Sequence, residues 1–258
     1  MRHVKLLIEY DGTNYHGWQS QRSGGTIQDL LTEAVFGITG ETVRLTGASR
    51  TDAGVHALSQ VAVFETDSRL PAGVIMRAMN AKLPSDIRIL GAEDEDVSFH
   101  PRYDATRKSY FYILSSGNNP SVFLHRYVWY VKAGVDLGAM TESSRALIGE
   151  HDFSSFRGAG CGSRHPVRTV HDITVSRLHE INFMTVSVKG EFVRIRIEAN
   201  AFLRHMVRNI VGSLVEVGRG RLSPEDLPDI LEACDRTKAG PTAPAHGLFL
   251  EKIVYRAR

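Results

Sequence analysis

The sequence predicts an α+β fold built from two successive halves. The chain has 258 residues, 42% of them hydrophobic and 23% charged, which is typical of a globular protein with a substantial core. Some short segments alternate apolar and polar residues as strands do, and others repeat apolar residues at helical spacing. A mixture of strand and helix patterns occurs once before residues 100–106 and again after them. We therefore expect one half over 1–105 and a second half over 106–258.

In the first half, the pattern predicts two helices and four strands. Thr26 and Asp29 have the spacing of a capping box, and the apolar residues that follow lie on one helical face, so a helix is expected to about residue 38. Pro71 suits the start of a second helix, which is expected to run to residue 79. Strands are expected where short apolar and β-branched runs occur, at 6–10, 42–46, 58–66 and 87–90.

In the second half, two long strands stand out at 167–178 and 183–198, with a bend near Gly190. Along the second of them, three apolar residues share one face and three charged residues share the other. Apolar residues at helical spacing from Leu203 to Val215 predict a helix, and Ser223 followed by Pro224 favours the start of another. The remaining expected elements are strands at 109–114 and 248–255, a helix at 137–147 and a flexible arm at 153–166.

Charge is concentrated in one part of the chain. The formal net charge is only +2, but residues 157–221 carry eleven Lys and Arg against five Asp and Glu, and ten of the eleven are arginine. Arginine contacts phosphate through two nitrogens and stacks on bases, so this stretch fits a polyanion-binding surface. A solvated surface with acidic partners elsewhere in the fold is the other interpretation.

Several classes of protein are disfavoured. Two cysteines cannot build a disulfide framework, and no zinc-type spacing of Cys or His occurs, so we expect a cytoplasmic protein without a metal. No signal-peptide pattern is present, and the apolar runs are much shorter than the ~18 residues that a membrane span needs.

The segment 46–57 concentrates polar chemistry in the connection between two predicted strands. It holds Arg50, Asp52 and His56 among small residues, and loops supported by a sheet are where catalytic side chains concentrate. The alternative is a purely structural turn, in which Asp52 bonds a downstream amide and Gly54 supplies a positive φ.

The segment 10–21 mixes aromatics, amides and glycines without any hydrophobic period. Such residues, among them Tyr10 and Gln19, suit the binding of unpaired bases by stacking and edge hydrogen bonds. The alternative is a packed loop anchored by Trp18.

Together these segments resemble the tRNA pseudouridine synthases of the A type. The resemblance covers essentially the whole chain, in six blocks that follow in order: YDGTNYHGWQSQ at 10–21, TGASRTDAGVHA at 46–57, RKSYFYIL at 107–114, CGSRHPVRTV at 161–170, NAFLRHMVRNIVG at 200–212 and APAHGLFL at 243–250. The fold implied is a pair of tandem ferredoxin-like halves around a mainly antiparallel sheet, with a catalytic cleft between the halves.

The resemblance also implies an activity. Members of this family isomerise uridine to pseudouridine at positions 38, 39 and 40 of the tRNA anticodon stem-loop, act as homodimers and use no cofactor. The target base must leave its stack, which costs a few kcal/mol that contacts to the base and phosphates offset.

The same resemblance assigns roles to particular residues. Asp52 matches the catalytic carboxylate, which attacks C6 of the base, attacks C1′ of the ribose, or abstracts a ribose proton. Arg208 matches the cation that keeps this carboxylate ionised, and Tyr110 matches the active-site tyrosine. Substrate-binding roles fall to Arg50, which fills the space left by the flipped base, and to Leu248, which lines the pocket.

Arg204 is a further candidate for substrate binding. It lies four residues before Arg208 on the predicted helix, so the two arginines are expected to project from the same side, away from the apolar stripe.

Two other functions would fit parts of the sequence. A non-catalytic RNA-binding protein would be expected to lack Asp52, Tyr110 or Arg208, and all three are present. A metal-dependent nuclease or hydrolase using Asp52 and His56 would need more carboxylates near the motif than the sequence has.

Overall fold

The computed structural model describes residues 1–117, 121–132 and 134–256. The chain forms two compact units. The first unit contains residues 1–108 together with the chain from Phe249 onward, and the second contains Ser109–Leu248. The last strand therefore groups with the first unit, whereas the sequence division assigned everything after residue 105 to the second half.

The first unit is a mainly antiparallel sheet with two helices. Strand β1 (Arg2–Tyr10) pairs antiparallel with β3 (His56–Thr66) on one side, from Arg2 opposite Thr66 to Tyr10 opposite Ala57, and with β4 (Ile87–Glu95) on the other. The last strand, β10, joins β3 in parallel. The elements are β1 Arg2–Tyr10, α1 Ile27–Thr39, β2 Thr46–Gly47, β3 His56–Thr66, α2 Ala72–Lys82 and β4 Ile87–Glu95, with β5 Ala105–Ser116 leading into the second unit and β10 Leu248–Tyr255 returning to the first.

The helix α1 lies where its capping box and apolar face predicted it. The Thr26 side chain accepts a hydrogen bond from the Asp29 backbone N–H at 3.2 Å and donates to the Asp29 carboxylate at 2.7 Å, which confirms the capping box. The helix ends at Gly40, whose φ of +74° suits glycine. Ile27 and Leu31 on its apolar face are completely buried.

The strand expected at 42–46 is wrong for most of its length. Val43 and Leu45 are buried, which explains the alternating pattern, but the backbone pairs with β3 only at Thr46 and Gly47. Burial of alternate side chains does not require a partner strand. The prediction for β4 was too short, since pairing with β1 continues to Glu95.

The second unit is organised around the long antiparallel hairpin of β8 and β9. Their pairing runs from Val170 opposite Ala199 to Phe183 opposite Val186, and the register shifts near Gly190, where the sequence predicted a bend. The apolar face of β9 is buried as predicted. The other elements are β6 Trp129–Val131, α3 Leu137–Ser144, β7 Gly149–Asp152, β8 Val167–Phe183, β9 Val186–Ala199, α4 Met206–Gly218 and α5 Asp226–Glu232.

Two further expectations for this unit need correction. The segment 153–166 was predicted as a flexible arm, but it contains a 3-10 turn at Ser154–Phe156, and Phe153 and Phe156 are completely buried. Helix α5 begins at Asp226 rather than directly after Ser223. The Asp226 carboxylate accepts a hydrogen bond from the Ser223 backbone N–H at 2.7 Å, so the intervening residues form a turn before the helix.

Among the described residues, no helix is both long and apolar enough to cross a membrane.

Candidate active site

The loop between β2 and β3 carries Asp52 at the surface of the first unit. Asp52 is half-buried, and the neighbouring Arg50 is exposed. The chain turns at this point, since the Val55 N–H donates to the Asp52 carbonyl at 3.1 Å and Gly54 has a φ of +77°. Gly54 therefore supplies the turn geometry that the sequence suggested, and the turn presents a carboxylate.

Buried polar side chains bind the backbone of Ala48 and Ser49, where this loop begins. The Gln60 side chain, which is fully buried, donates to the Ser49 carbonyl at 2.7 Å and accepts from the Ser49 N–H at 3.1 Å. The Lys108 ammonium group, also buried, donates to the Ala48 carbonyl at 2.6 Å. Sequence reasoning missed both side chains. For Gln60, the available signal was a long polar residue beside the apolar run 61–64, because such a residue must find a partner when buried. Lys108, between Arg107 and Ser109, gave no such signal.

The aromatic segment after β1 packs against the Asp52 loop. Trp18 is 1% exposed, so the interpretation of this residue as a loop anchor is confirmed. Its backbone N–H donates to the Thr51 carbonyl at 3.0 Å. Tyr10 is 4% exposed, stacks on Trp18 with ring centroids 6.1 Å apart, and has its hydroxyl 2.7 Å from that of Thr51. Tyr10 thus packs against the Asp52 loop, and its expected role in substrate binding stays a prediction.

Glycines allow the close approach of the two segments. A Cβ on Gly12 would lie 2.0 Å from the Val55 carbonyl oxygen, and one on Gly17 would lie 2.7 Å from the Thr51 carbonyl oxygen. On the other side, a Cβ on Gly47 would lie 2.5 Å from the Trp18 indole. Any side chain at these positions would separate the segments.

Gln19 and His56 occupy different environments. Gln19 is exposed, with its amide donating to Gln28 at 2.7 Å, so it is accessible as a binding residue. His56 is almost fully buried, with Nδ1 3.0 Å from the Asp11 carboxylate and its ring stacked on Phe249 at 4.6 Å.

Within the described parts of the chain, no three His, Cys, Asp or Glu side chains form a group that could hold a metal ion.

In the second unit, β5 presents two tyrosines on the same face. Tyr112 is fully buried and donates a hydrogen bond to the Pro244 carbonyl at 2.8 Å, as expected for a core residue. Burial strongly raises the pKa of the Tyr112 hydroxyl. Tyr110 is 5% exposed and meets Phe202 edge-on with ring centroids 5.1 Å apart. Leu248 is likewise buried at the start of β10.

Arg208 lies in the first turns of α4 and is held by the segment that precedes β10. Its Nε donates to the Ala243 carbonyl at 2.7 Å, and the Ala243 N–H donates back to the Arg208 carbonyl at 3.1 Å. The first of these hydrogen bonds orients the guanidinium group and the second ties the Arg208 backbone to the same residue; Arg208 is half-buried.

The expected helical pairing of Arg204 with Arg208 is wrong. Helix α4 begins at Met206, after His205, whose φ of +62° interrupts the helical backbone. Arg204 therefore lies in the preceding turn, where it is exposed and its carbonyl accepts from the Gly158 N–H at 2.8 Å. The two arginines do not share a helix face.

Cys161 lies beside this turn in an electropositive setting. Burial opposes its ionisation, but the backbone N–H groups of Arg204 and Ser163 and the Arg157 guanidinium outweigh burial and lower the pKa of the thiol. Cys234 has the opposite environment, since burial and the Asp152 carboxylate raise the pKa of its thiol.

Fold and site together define an α+β protein that presents a carboxylate on a loop held by buried contacts, with an arginine-rich region in its second unit. The comparisons with known proteins give the family. The model of a family described as tRNA pseudouridine synthase matches residues 6–104 and 144–256. The chain belongs to the tRNA pseudouridine synthase family, which confirms the resemblance read from the six sequence blocks.

Individual relatives agree over the whole chain. A tRNA pseudouridine synthase A from Thermoanaerobacter sp. is 45% identical over 99% of this chain and 100% of its own length. One from Thermodesulfovibrio yellowstonii is 42% identical with the same coverage. A solved archaeal box H/ACA sRNP Nop10–Cbf5 complex matches 92% of this chain and 60% of that chain at 12% identity, and its TM-score of 0.35 is too low to support any inference.

Proposed function

We propose that this protein isomerises uridine to pseudouridine at positions 38, 39 and 40 of the tRNA anticodon stem-loop, with Asp52 as the catalytic carboxylate. The single observation that carries the proposal is the half-buried Asp52 on a loop held on both sides by backbone and side-chain contacts, in a chain of this family. A carboxylate in such a position is ready for covalent or general-base catalysis.

The reaction is an isomerisation, so atoms and electrons balance without a co-reactant. The C1′–N1 bond of the uridine breaks and a C1′–C5 bond forms, while C5 loses a proton and N1 gains one. Asp52 starts the sequence by attack at C6 or C1′, or by removal of a ribose proton. Arg208 is assigned as the cationic partner of this carboxylate, the role that the family resemblance implies for it.

Other residues bind the extruded base or replace it in the RNA stack. Tyr110 stacks on it and its hydroxyl helps remove the C5 proton, while Leu248 supplies an apolar wall. Arg50, which is exposed beside Asp52, fills the gap that the base leaves in the RNA stack. Arg204 and Gln19 are also exposed and can reach RNA directly.

The substrate and the assembly follow from the same proposal. The arginines of 157–221 bind the phosphates of the tRNA backbone. Recognition therefore depends on the shape of the stem-loop, and the enzyme can act on several adjacent uridines. The two units correspond to two ferredoxin-like halves, two copies of the chain form a homodimer on tRNA, and the enzyme works in the cytoplasm without a cofactor.

The test is to map pseudouridines in a tRNA transcript treated with the purified protein, together with tritium release from 5-tritiated uridine. Asp52→Ala is expected to lower turnover by at least about 10³-fold, the scale of loss when a catalytic group is removed. Asp67→Ala removes an exposed carboxylate of the same unit and is the matched control, for which we expect unchanged turnover.

Two results would count against the proposal. Substantial turnover by Asp52→Ala would exclude the carboxylate as the catalyst. A wild-type protein that binds tRNA without forming pseudouridine would instead favour the non-catalytic RNA-binding alternative.

A further inference from the structure

The hydroxyl of Tyr10 contacts the residue that precedes the proposed catalytic carboxylate. Tyr10 ends β1, and its hydroxyl lies 2.7 Å from the Thr51 hydroxyl in a buried hydrogen bond. The Thr51 carbonyl accepts a second hydrogen bond, from the Trp18 N–H at 3.0 Å. Thr51 is 6% exposed, so both contacts are shielded from water. The backbone immediately before Asp52 is therefore held from two directions.

The same aromatic segment also holds the backbone after Asp52. The Gly54 N–H donates to the Tyr15 carbonyl at 3.3 Å, and the Gly12 N–H donates to His56 Nδ1 at 3.1 Å. The backbone of Gly12 lies so close to Val55 that a Cβ could not fit between them. The segment thus forms a brace along the whole turn.

From these contacts we infer that Tyr10 is a positioning residue for the reaction, acting on Asp52 through Thr51, and that segment 10–18 is a brace for the catalytic loop. The inference rests on the proposed function of Asp52. Shifting a reacting group by about 1 Å can cost about 10²-fold in rate, so a brace of this kind matters for turnover rather than for binding.

The competing role for Tyr10 is direct contact with an unpaired base. The Tyr10 ring stacks on Trp18 and its hydroxyl bonds that of Thr51, so its contacts are with the Asp52 loop. A positioning role predicts loss of kcat at constant KM, whereas a base contact predicts weaker binding of tRNA.

The experiment is a double-mutant cycle on the two hydroxyl groups. Tyr10→Phe and Thr51→Val each remove one partner with little change of shape. We expect kcat to fall by about 10- to 100-fold in each, with KM and the Kd for tRNA within about twofold of wild type. Because the hydroxyls act as a pair, the double variant should lose no more than either single variant.

Two further variants separate positioning from general damage. Thr51→Ser keeps the hydroxyl and should restore most of kcat. Tyr255→Phe removes another tyrosine hydroxyl of the first unit, which donates to the Pro101 carbonyl at 2.9 Å away from the Asp52 loop, and should leave kcat unchanged. Hydrogen exchange of the amides in 47–57 should become faster in Tyr10→Phe and stay unchanged in Tyr255→Phe.

The outcomes are distinct. A raised KM or Kd with unchanged kcat would overturn the proposal in favour of base contact, and additive losses in the double variant would overturn it as well. Unchanged exchange in 47–57 would show that no brace exists. If wild-type protein forms no pseudouridine, the proposed function fails, and the exchange measurement still decides whether Tyr10 orders the loop.

Discussion

Asn209 lies on the buried side of α4 and connects three distant segments of the second unit. Its Nδ2 donates to the Phe156 carbonyl at 2.8 Å. Its Oδ1 accepts from the Thr242 hydroxyl at 2.6 Å and from Arg236 Nη2 at 3.1 Å. Since Asn209 is completely buried, replacing it with alanine removes all three hydrogen bonds from a place that water cannot easily reach.

The cost can be estimated bond by bond. The Phe156 carbonyl belongs to a fully buried residue, and leaving such a group unsatisfied costs about 1–3 kcal/mol. The half-buried Thr242 hydroxyl loses a bond worth about 1 kcal/mol, and Arg236, also half-buried, can turn to solvent at a cost below about 1 kcal/mol. Asn209→Ala should therefore destabilise the protein by about 3 kcal/mol.

Thermal unfolding measures this directly. For a chain of this length, 1 kcal/mol corresponds to about 2–4 °C, so the midpoint should fall by about 6–12 °C. Asn182→Ala, at an exposed position of the β8–β9 hairpin, should change stability by less than about 0.5 kcal/mol. A midpoint for Asn209→Ala within about 2 °C of wild type would refute the reasoning.

Two further expectations concern charge. Arg208→Ala should lose far more turnover than Arg204→Ala, because only Arg208 is assigned as the cationic partner of Asp52; equal and mild losses in the tritium-release assay would contradict that role. At neutral pH, Cys161 should react with iodoacetamide faster than the more exposed Cys234, because the pKa of its thiol is lowered and that of Cys234 is raised. Peptide mass spectrometry follows both rates, and faster labelling of Cys234 would show that exposure outweighs ionisation.

Local chemistry explains which elements could be predicted. The Thr26 capping box and the apolar stripe of α4 depend on residues close together in the chain, and the structure contains both. The strand at 42–46 was predicted too long because Val43 and Leu45 alternate with polar residues, whereas a strand also needs a partner backbone. The positive φ of His205 could not be anticipated either, since non-glycine residues rarely adopt it.

In the candidate site, too, some features could be predicted from the sequence and others could not. The Asp52 segment stood out from its composition, and the packed position of Trp18 followed from its being a large aromatic in a loop. The buried partners of the loop base, Gln60 and Lys108, were not predicted, because they meet their carbonyl partners across separations of 11 and 60 residues. The contacts of Tyr10 with Trp18 and Thr51 were not predicted from the sequence either.

By itself, the sequence determined the α+β class, the six motifs that identify the family, and the loop that holds the proposed carboxylate. These depend on residue type and short-range spacing, which the chain carries without folding. Only the tertiary structure decided what surrounds that loop: which tyrosine faces the core, which hydroxyls meet, and where α4 begins. Contacts of this kind depend on the register of strands far apart in the chain, and no local pattern encodes that register.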